Sequence, residues 1–482
     1  MKGKASHSSL FTFPLSTFTS HSHFVNVPKS VFRQYDVRGI VGKELTPEFA
    51  RALGRAYASL GWKKLGRPPV LAVGRDNRPS GSELSRAVLA GISETGATAI
   101  DVGMLPTPAL YLGVVALETD GGLQVTGSHN PPEFNGFKMV LAGDSVHGEE
   151  ILELWEIIAT ETWRSGVGRI TADGSVLRRY REAILERHRL ARPVTVVVDC
   201  GNGAGSLIAT ATLEALGANV IALFCESDGT FPNHHPDPTV PANLRDLQET
   251  VRRTGAELGI AFDGDADRIG AVDENARIIY GDQLLVLYGR DAVRRFGPGI
   301  PVIFDVKCSE VLGEALTRSG AQPLMWKTGH SLIKSKMKET RAPLAGEMSG
   351  HMFFGGDYYG FDDALFGAAR LLEIVSHGPG GLSRFLADLP QTFATPEIRV
   401  ECGDDRKFAL VERAAAHFAT RYPVNTIDGV RMTFPRGWGL IRSSNTQPIL
   451  VLRFEATDQD ALRLYQEEVR SYLAAEGLTA DW

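Results

Sequence analysis

Residues 70–102 read VLAVGRDNRPSGSELSRAVLAGISETGATAIDV, and the order of properties along this stretch decides the fold. The apolar run 70–73 reads as a short strand. Over 82–95 the apolar residues Leu84, Val88 and Ile92 recur at helical spacing. Gly96-Ala97 interrupts the helix, and 98–102 reads as a second strand. Strand, helix and strand in that order predict a right-handed crossover within a parallel sheet. The unit returns at 194–198, 206–216, Gly217-Ala218 and 220–224, and again at 302–306, 309–318, Gly320-Ala321 and 323–325. Each helix runs into a glycine, where a left-handed C-terminal cap costs least. Three copies of one unit predict three similar α/β domains.

Residues 391–482 do not repeat it. They carry strand candidates at 398–400, 429–434, 440–442 and 449–454 and a closing helix at 458–473, the pattern of a smaller α+β domain. Linkers are expected near 165–174, 275–281 and 389–395. The expected division is an extension over 1–30, then domains over 31–170, 171–278, 279–390 and 391–482. The extension is rich in Ser, Thr, His and Phe and has no acidic residue before Asp36. It lacks the continuous apolar stretch of a secretion signal and the arginines of an organellar one, so a disordered tail is expected.

The chain of 482 residues has apolar material for several cores, with 43% hydrophobic and 22% charged residues. No apolar run approaches the ~20 residues that cross a bilayer, so no membrane partner is expected. Lys and Arg number 51 against 57 Asp and Glu, a net charge of -6 that argues against a nucleic-acid partner. Four cysteines, Cys200, Cys225, Cys308 and Cys402, show neither zinc spacing nor a disulfide framework, which suits a reducing cytoplasm.

Four segments carry more polar chemistry than packing requires. In Thr126-Gly127-Ser128-His129-Asn130-Pro131-Pro132, followed by Asn135-Gly136-Phe137-Lys138, Ser128 lies on a tight loop after an apolar stretch. Gly127 would let the backbone approach a ligand closely. Serine is a weak nucleophile without a base or positive charge, which His129 and Lys138 can supply. An ordinary Asn-Pro and Asn-Gly turn reads equally well. In Asp263-Gly264-Asp265-Ala266-Asp267-Arg268, three closely spaced carboxylates repel unless a cation bridges them, and hard oxygen ligands suit Mg²⁺ or Ca²⁺. An EF-hand would put Glu274 at its last position but needs Gly where Arg268 stands and a helix where the apolar run 258–262 reads as a strand. Arg268 beside a metal suits a shared phosphoryl group.

Two weaker segments follow. Gly346-Glu347-Met348-Ser349-Gly350-His351 brackets Glu, Ser and His with glycines and suits sugar hydroxyls, with Thr328-Gly329-His330 a similar group nearby. Arg442-Ser443-Ser444-Asn445-Thr446 has the makings of an anion nest. Gly201-Asn202-Gly203-Ala204-Gly205 lacks the third glycine spacing of a dinucleotide site and reads as a tight strand–helix turn. Cys308 beside Lys307 reads as a small buried side chain rather than a reactive thiol.

Together these segments resemble the α-D-phosphohexomutase family, in the family's order, from about Phe32 to the C-terminus. The resemblance implies an α/β fold of three similar α/β domains with mixed sheets plus a smaller α+β C-terminal domain around a central cleft. It implies a phosphoserine at Ser128 and a Mg²⁺ site on Asp263, Asp265 and Asp267, with Ser128 completing it through its phosphate. Tyr35-Asp36-Val37-Arg38-Gly39 resembles a further family motif that brings Arg38 to the active site. Arg38, His129, Lys138, Arg268 and His351 are implied as catalytic residues, with His351 a candidate general base. Tyr35, Lys307, Gly329, His330, Glu347, Ser349, Arg442, Ser444, Asn445 and Thr446 are implied as substrate-binding residues. Met348 and the sequence Ser444-Asn445-Thr446 are similar to the bacterial phosphomannomutase/phosphoglucomutase branch rather than to phosphoglucosamine mutases. The implied activity interconverts hexose 1-phosphate and 6-phosphate of mannose, glucose or both, with glucose 1,6-bisphosphate as intermediate and activator. Hexose phosphates would be the partners, and the enzyme a monomer or weak dimer. Competing readings are a phosphoglucosamine mutase, an aspartyl-phosphate phosphotransferase using Asp263, and a sugar-phosphate sensor without turnover.

Overall fold

The computed structural model describes residues 28–445 and 447–479. Thr446 and most of the expected N-terminal extension lie outside the described residues. The last part of that extension belongs to the first domain, since Lys29–Val31 forms a 3-10 turn and Val31 is buried in its core.

Three of the four sheets share one plan. In the first, Thr98–Met104, Val70–Arg75 and Gly121–Val125 lie side by side in parallel, and Phe134–Leu141 is added antiparallel. The second repeats the order with Asn219–Leu223, Thr195–Asp199, Leu258–Phe262 and Ile269–Asp273. The third does so with Gln322–Trp326, Pro301–Asp305, Leu344–Gly346 and Met352–Phe354. The expected strand–helix–strand unit is thus the first half of each domain, with helices Gly81–Ser93, Ala209–Ala215 and Glu310–Arg318 as crossovers. The glycines that follow, Gly96, Gly217 and Gly320, all take positive φ, at 85°, 97° and 91°. A second crossover, through Thr107–Ala116, Arg245–Thr254 or His330–Thr340, leads to the third parallel strand.

This plan fixes where chemistry can occur. The loop between the third and fourth strands holds Ser128 in the first domain, Asp263 to Arg268 in the second and Glu347 to His351 in the third. The three polar motifs are one loop, repeated. The fourth domain is a six-stranded antiparallel sheet backed by helices Lys407–Phe418 and Gln459–Ala475, and its Arg442–Asn445 segment opens the hairpin between Gly437–Ser443 and Ile449–Ala456.

Three expectations change. The expected linker at 165–174 contains Arg169–Ala172, which pairs with Thr98–Met104 as an edge strand, so the boundary at 170 falls inside the first sheet. The boundary at 278 likewise falls inside Ile278–Ile279, which pairs with Ile269–Asp273. Both strands are too short for a pattern of alternation to mark them. The helix expected over 206–216 is split into a 3-10 turn, Ala204–Leu207, and Ala209–Ala215. Its start is held back because the Ala204 amide donates to the Gly264 carbonyl at 2.8 Å.

One continuous apolar core runs from Leu110 in the first domain through Val198 and Ile260 in the second to Phe304 and Phe366 in the third. The fourth domain has a separate core around Phe418, Ile441 and Phe454. It meets the third through a small apolar contact of Val306, Trp438 and Leu440 and through buried cations. Arg431 donates to the carbonyls of Val306 (2.6 Å) and Cys308 (2.8 Å) and to Glu310 (2.9 Å), with its guanidinium 3.6 Å from the Trp438 ring centre. Arg453 donates to the Lys307 carbonyl, and Ser309 to Glu455 at 2.8 Å.

Arg431→Met keeps the side-chain length but strands two buried carbonyls, which costs about 2–4 kcal/mol. In urea unfolding followed by Trp438 fluorescence, the variant's first transition moves to lower urea by an amount equivalent to that loss. A transition within about 0.5 kcal/mol of wild type would show that Arg431 does not hold this interface.

Candidate active site

The serine loop is built around a residue outside every motif. Arg78 is buried and donates to four carbonyls of the loop, those of Ser128 (2.8 Å), Asn130 (2.6 Å), Pro131 (2.6 Å) and Phe134 (2.9 Å). Asp76 receives the Arg78 Nε at 3.2 Å and the Gly127 amide at 3.2 Å. The need for glycine at 127 is therefore different from the one expected: a Cβ there would collide with the Arg78 guanidinium. The clamp holds Ser128 at φ 50°, left-handed backbone that costs a serine of order 1 kcal/mol. Its Oγ donates to Asp263 Oδ2 at 2.8 Å and lies 3.1 Å from His129 Nδ1. Burial and the cations Arg268, Arg38 and Lys138 hold His129 well below the usual histidine range.

Asp263, Asp265 and Asp267 are each 0% exposed, and one oxygen of each lies within 4.8 Å of the others. Asp263 Oδ1 accepts the amides of Asp267 (3.0 Å) and Arg268 (3.1 Å). Lys138, reaching across from the first domain, donates to Asp265 at 2.8 Å and to Asp267. Asp265 also accepts from the Thr107 hydroxyl. Against the effect of burial, Lys138, the Thr107 hydroxyl and the charge of Arg38 hold Asp265 below the ordinary carboxylate range, and the negative cluster in turn raises Lys138 despite its burial. Asp263 goes the other way: burial and its two acidic neighbours push it far up. Asp265 Oδ1 and Asp267 Oδ1 are buried with no hydrogen-bond partner among the described residues. Orphaned carboxylate oxygens beside a surplus of negative charge are what a hard divalent cation would satisfy, so the residues fit Mg²⁺. The flanks are strands and Glu274 bonds Ser383, which removes the EF-hand reading.

The metal loop and the sugar loop are joined by backbone. Arg268 and His351 form an antiparallel bridge, and the Ile269 amide donates to the Gly350 carbonyl at 3.0 Å. Arg268 Nε donates to His351 Nε2 at 2.9 Å. That nitrogen therefore carries a lone pair, and the Nδ1 proton faces Asp362 Oδ2 at 3.1 Å and Asp267 Oδ1 at 3.6 Å. Lys334 holds the other Asp362 oxygen at 3.1 Å, and His330 Nδ1 lies 3.7 Å from Oδ2. Arg38 is fixed by Asp36 (2.6 Å) and Asn130 (2.7 Å).

The remaining expected residues come from the first, third and fourth domains. Glu347 accepts the Gly329 amide at 2.6 Å, and burial raises it above the usual range. Gly329, at φ 133°, lies where a Cβ would strike the Tyr35 ring. The Tyr35 hydroxyl donates to the Thr328 carbonyl (3.0 Å) and accepts from Asn445 (2.9 Å), which ties the first, third and fourth domains together. Arg442 pairs with Asp428 at 3.0 Å, and Lys307 with Glu397 at 3.2 Å. Ser444 Oγ accepts the Gln447 amide at 3.1 Å, and Ser349 is half-buried at the tip of its loop. Arg38, Lys138 and Arg442 project from strands and His330 from the first turn of a helix, while Ser128, the three aspartates, Glu347, Ser349 and Asn445 lie on loops.

Sequence reasoning missed Asp76, Arg78, Asp305, Asp362 and Lys407. Asp305 accepts the Met348 amide and the Thr328 hydroxyl, both at 3.0 Å. Lys407 is buried beneath the last loop and donates to the carbonyls of Ser444 (2.6 Å) and Gln447 (2.9 Å). Only Asp362 offered a signal, as one of two adjacent carboxylates opening an apolar helix. Cys308 is buried against Asp305, which pushes its thiol up and fits the inert reading.

Comparison with known proteins agrees with this geometry. The phosphoglucomutase/phosphomannomutase alpha/beta/alpha domains I, II and III match residues 29–165, 178–277 and 280–393, and the C-terminal domain of the same family matches 397–471. A phosphomannomutase/phosphoglucomutase of Pseudomonas aeruginosa is 48% identical over 93% of this chain and 96% of its own. A phosphoglucomutase of Neisseria gonorrhoeae is 44% identical over 93% of this chain and 97% of its own. The crystal structure of a phosphoglucomutase/phosphomannomutase family protein from Burkholderia thailandensis, 43% identical, superposes with a TM-score of 0.87 over 94% of this chain and 99% of that one. With four domain models matched in order and relatives of this identity aligned over nearly its whole length, the chain belongs to the phosphoglucomutase/phosphomannomutase family.

Proposed function

We propose that this protein moves a phosphoryl group between O1 and O6 of a hexose phosphate, of glucose, mannose or both, through a phosphoserine at Ser128 and a 1,6-bisphosphate. The observation that carries the reading is the Ser128 hydroxyl, buried, held in left-handed backbone and donated to Asp263 of the metal loop at 2.8 Å.

O1 and O6 of one hexose are too far apart for direct exchange, so the group passes through the protein. The phosphoserine gives its phosphoryl to the free sugar hydroxyl, breaking the Ser128 Oγ–P bond and forming the sugar O–P bond. The hydroxyl proton goes to His351 Nε2, whose lone pair Arg268 covers in the free protein. When Arg268 turns to the phosphate, the base is uncovered, and Asp362 keeps the ring in the required tautomer from its Nδ1 side. Lys138 and Arg38 offset charge on the transferring oxygens. The bisphosphate then turns over and returns its other phosphoryl to Ser128. Asp263, Asp265 and Asp267 would hold Mg²⁺, which would neutralise developing phosphoryl charge. Arg442, Ser444, Asn445 and the amides of their loop hold the phosphate that does not react.

The aspartyl-phosphate alternative is disfavoured because Asp263 already accepts from two amides and from Ser128. The phosphoglucosamine alternative is disfavoured by Met348 and Asn445. A monomer or weak dimer suits a site whose every loop comes from one chain, and a cytoplasmic setting suits four free cysteines. No described helix is long and apolar enough to cross a membrane.

Ser128→Ala removes the phosphoryl acceptor. Intact-mass spectrometry finds a phosphate adduct on wild type that the variant lacks, and turnover falls by at least ~1000-fold with unchanged circular dichroism. Near-normal turnover in the variant would end the phosphoserine reading.

Exhaustive chelation lowers kcat by at least ~100-fold and added Mg²⁺ restores it, because several kcal/mol of charge stabilisation are lost. Asp265→Asn requires more Mg²⁺ for half-activation. Activity that survives chelation would make the acidic loop structural.

The bisphosphate binds in two opposite orientations, so the sugar loop has to read features that survive the flip. The 3- and 4-hydroxyls lie mid-ring and roughly exchange, and Glu347 can accept from both. Glucose and mannose differ only at C2, which this loop leaves unread. Their 1-phosphates are expected to show kcat/KM values within about tenfold (~1.4 kcal/mol), with galactose 1-phosphate poor and Glu347→Ala damaging both activities alike. Loss of only one activity in that variant would show that the loop reads C2.

A further inference from the structure

Cys200 and Cys225 are 25 residues apart in sequence, and their sulfurs are 3.0 Å apart in the fold. Cys200 ends the strand Thr195–Asp199 and is fully buried, whereas Cys225 follows the adjacent parallel strand Asn219–Leu223 and is half-buried. The backbones are already joined at this point, the Cys200 amide donating to the Leu223 carbonyl (3.2 Å) and the Asn202 amide to that of Phe224 (2.8 Å). We propose that Cys200 and Cys225 form a reversible dithiol–disulfide pair, oxidised by hydroperoxides, whose closure is felt at the metal loop. The mechanism of the mutase uses neither thiol.

The chemistry is direct. The contact with the Cys200 sulfur holds Cys225 below the usual thiol range, so the more accessible sulfur is also the better nucleophile. Its thiolate attacks one peroxide oxygen, breaks the O–O bond and becomes a sulfenic acid, while the other oxygen leaves and takes a proton as water or alcohol. The Cys200 sulfur then attacks the sulfenic sulfur, an S–S bond forms, and the departing hydroxide takes the Cys200 proton as water. Two thiols lose two electrons and two protons, and the peroxide is reduced by two electrons. A dithiol reductant reverses the change.

Coupling to the site follows from what lies between the two cysteines and Ser128. Closing the bond brings the sulfurs from 3.0 Å to ~2.05 Å and draws the two strand ends together. The turn that leaves Cys200 carries Gly203 and Ala204. A Cβ on Gly203 would meet the Gly264 carbonyl at 2.7 Å, and the Ala204 amide bonds that same oxygen. Asn202 of this turn accepts at its carbonyl from Asn77, the neighbour of Arg78, at 2.6 Å. A small shift of the turn therefore reaches both the acidic loop and the clamp on the serine loop.

The test exposes the full-length protein to hydrogen peroxide, unfolds it, alkylates the remaining thiols and maps peptides by mass. The expected result is a Cys200–Cys225 cross-linked peptide, two hydrogens lighter than the reduced pair and dissolved by dithiothreitol, with Cys308 and Cys402 alkylated. Mutase activity falls severalfold with cross-linking and returns with dithiothreitol. Cys225→Ser keeps basal activity within about twofold, forms no cross-link and resists that loss. A Cys225 carried to sulfinic acid beside a reduced Cys200, or both thiols still alkylatable after treatment, would overturn the pair. A complete cross-link with unchanged activity would overturn its coupling to the metal loop.

Discussion

Three carboxylates on one short loop, all out of reach of water, set the terms for the rest of this molecule. A lone buried carboxylate is expensive, and three together are more so unless opposing charge and donors are brought to them. Within their own domain Arg268 supplies one compensating charge, and the rest comes from elsewhere. Lys138, Thr107 and the Ser128 hydroxyl arrive from the first domain, and His351 from the third. The acidic loop is stable only where three domains meet, and so the site exists only in the assembled chain. The same deficit of positive charge leaves two orphaned oxygens for a cation.

Repetition explains how three domains converge. Each copy of the strand plan ends its third parallel strand at the same edge and turns back antiparallel, so each offers one loop at an equivalent place. The loops then touch backbone to backbone, which side chains would prevent. A Cβ on Gly264 would collide with the Ser128 carbonyl, and one on Gly350 with that of Ile269. Both glycines are thus spacing devices rather than hinges. Ligand-facing side chains are carried on the rims of these contacts, where their positions follow from the backbones beneath them.

Much of this was legible before the fold was known. The 3.6-residue recurrence of Leu84, Val88 and Ile92 and its two echoes gave the crossovers, because amphipathic helices of that length leave a strong local signal. Asp263, Asp265 and Asp267 were legible because the chemistry demands them at close spacing. Arg78, Asp305 and Lys407 were not, because each acts over a long sequence separation on carbonyls, amides or a hydroxyl that carry no mark in the sequence. An arginine that will be buried under four carbonyls looks the same in one dimension as one that will be solvated. The edge strand Arg169–Ala172 escaped for a different reason: all four residues are exposed, so no apolar pattern announced it.

The division of the core says where the molecule can open. The first three domains share one apolar cluster, and separating them would expose it to water. The fourth has its own core and is held mainly by hydrogen bonds and ion pairs, which water can replace. Across the site its hold is of the same kind: Asn445 on Tyr35, Lys307 with Glu397 at 3.2 Å, and Asp428 on the Thr328 amide at 3.0 Å. Bonds of this kind contribute about 1 kcal/mol each. A phosphate held at Arg442 competes for the cation that Asp428 now occupies. Binding of the non-reacting phosphate would therefore loosen the bond between Arg442 and Asp428 as it adds contacts of its own. Asp428 Oδ2 accepts both from Arg442 of its own domain and from the Thr328 amide of the third, so one carboxylate joins the last loop to the contact between the domains.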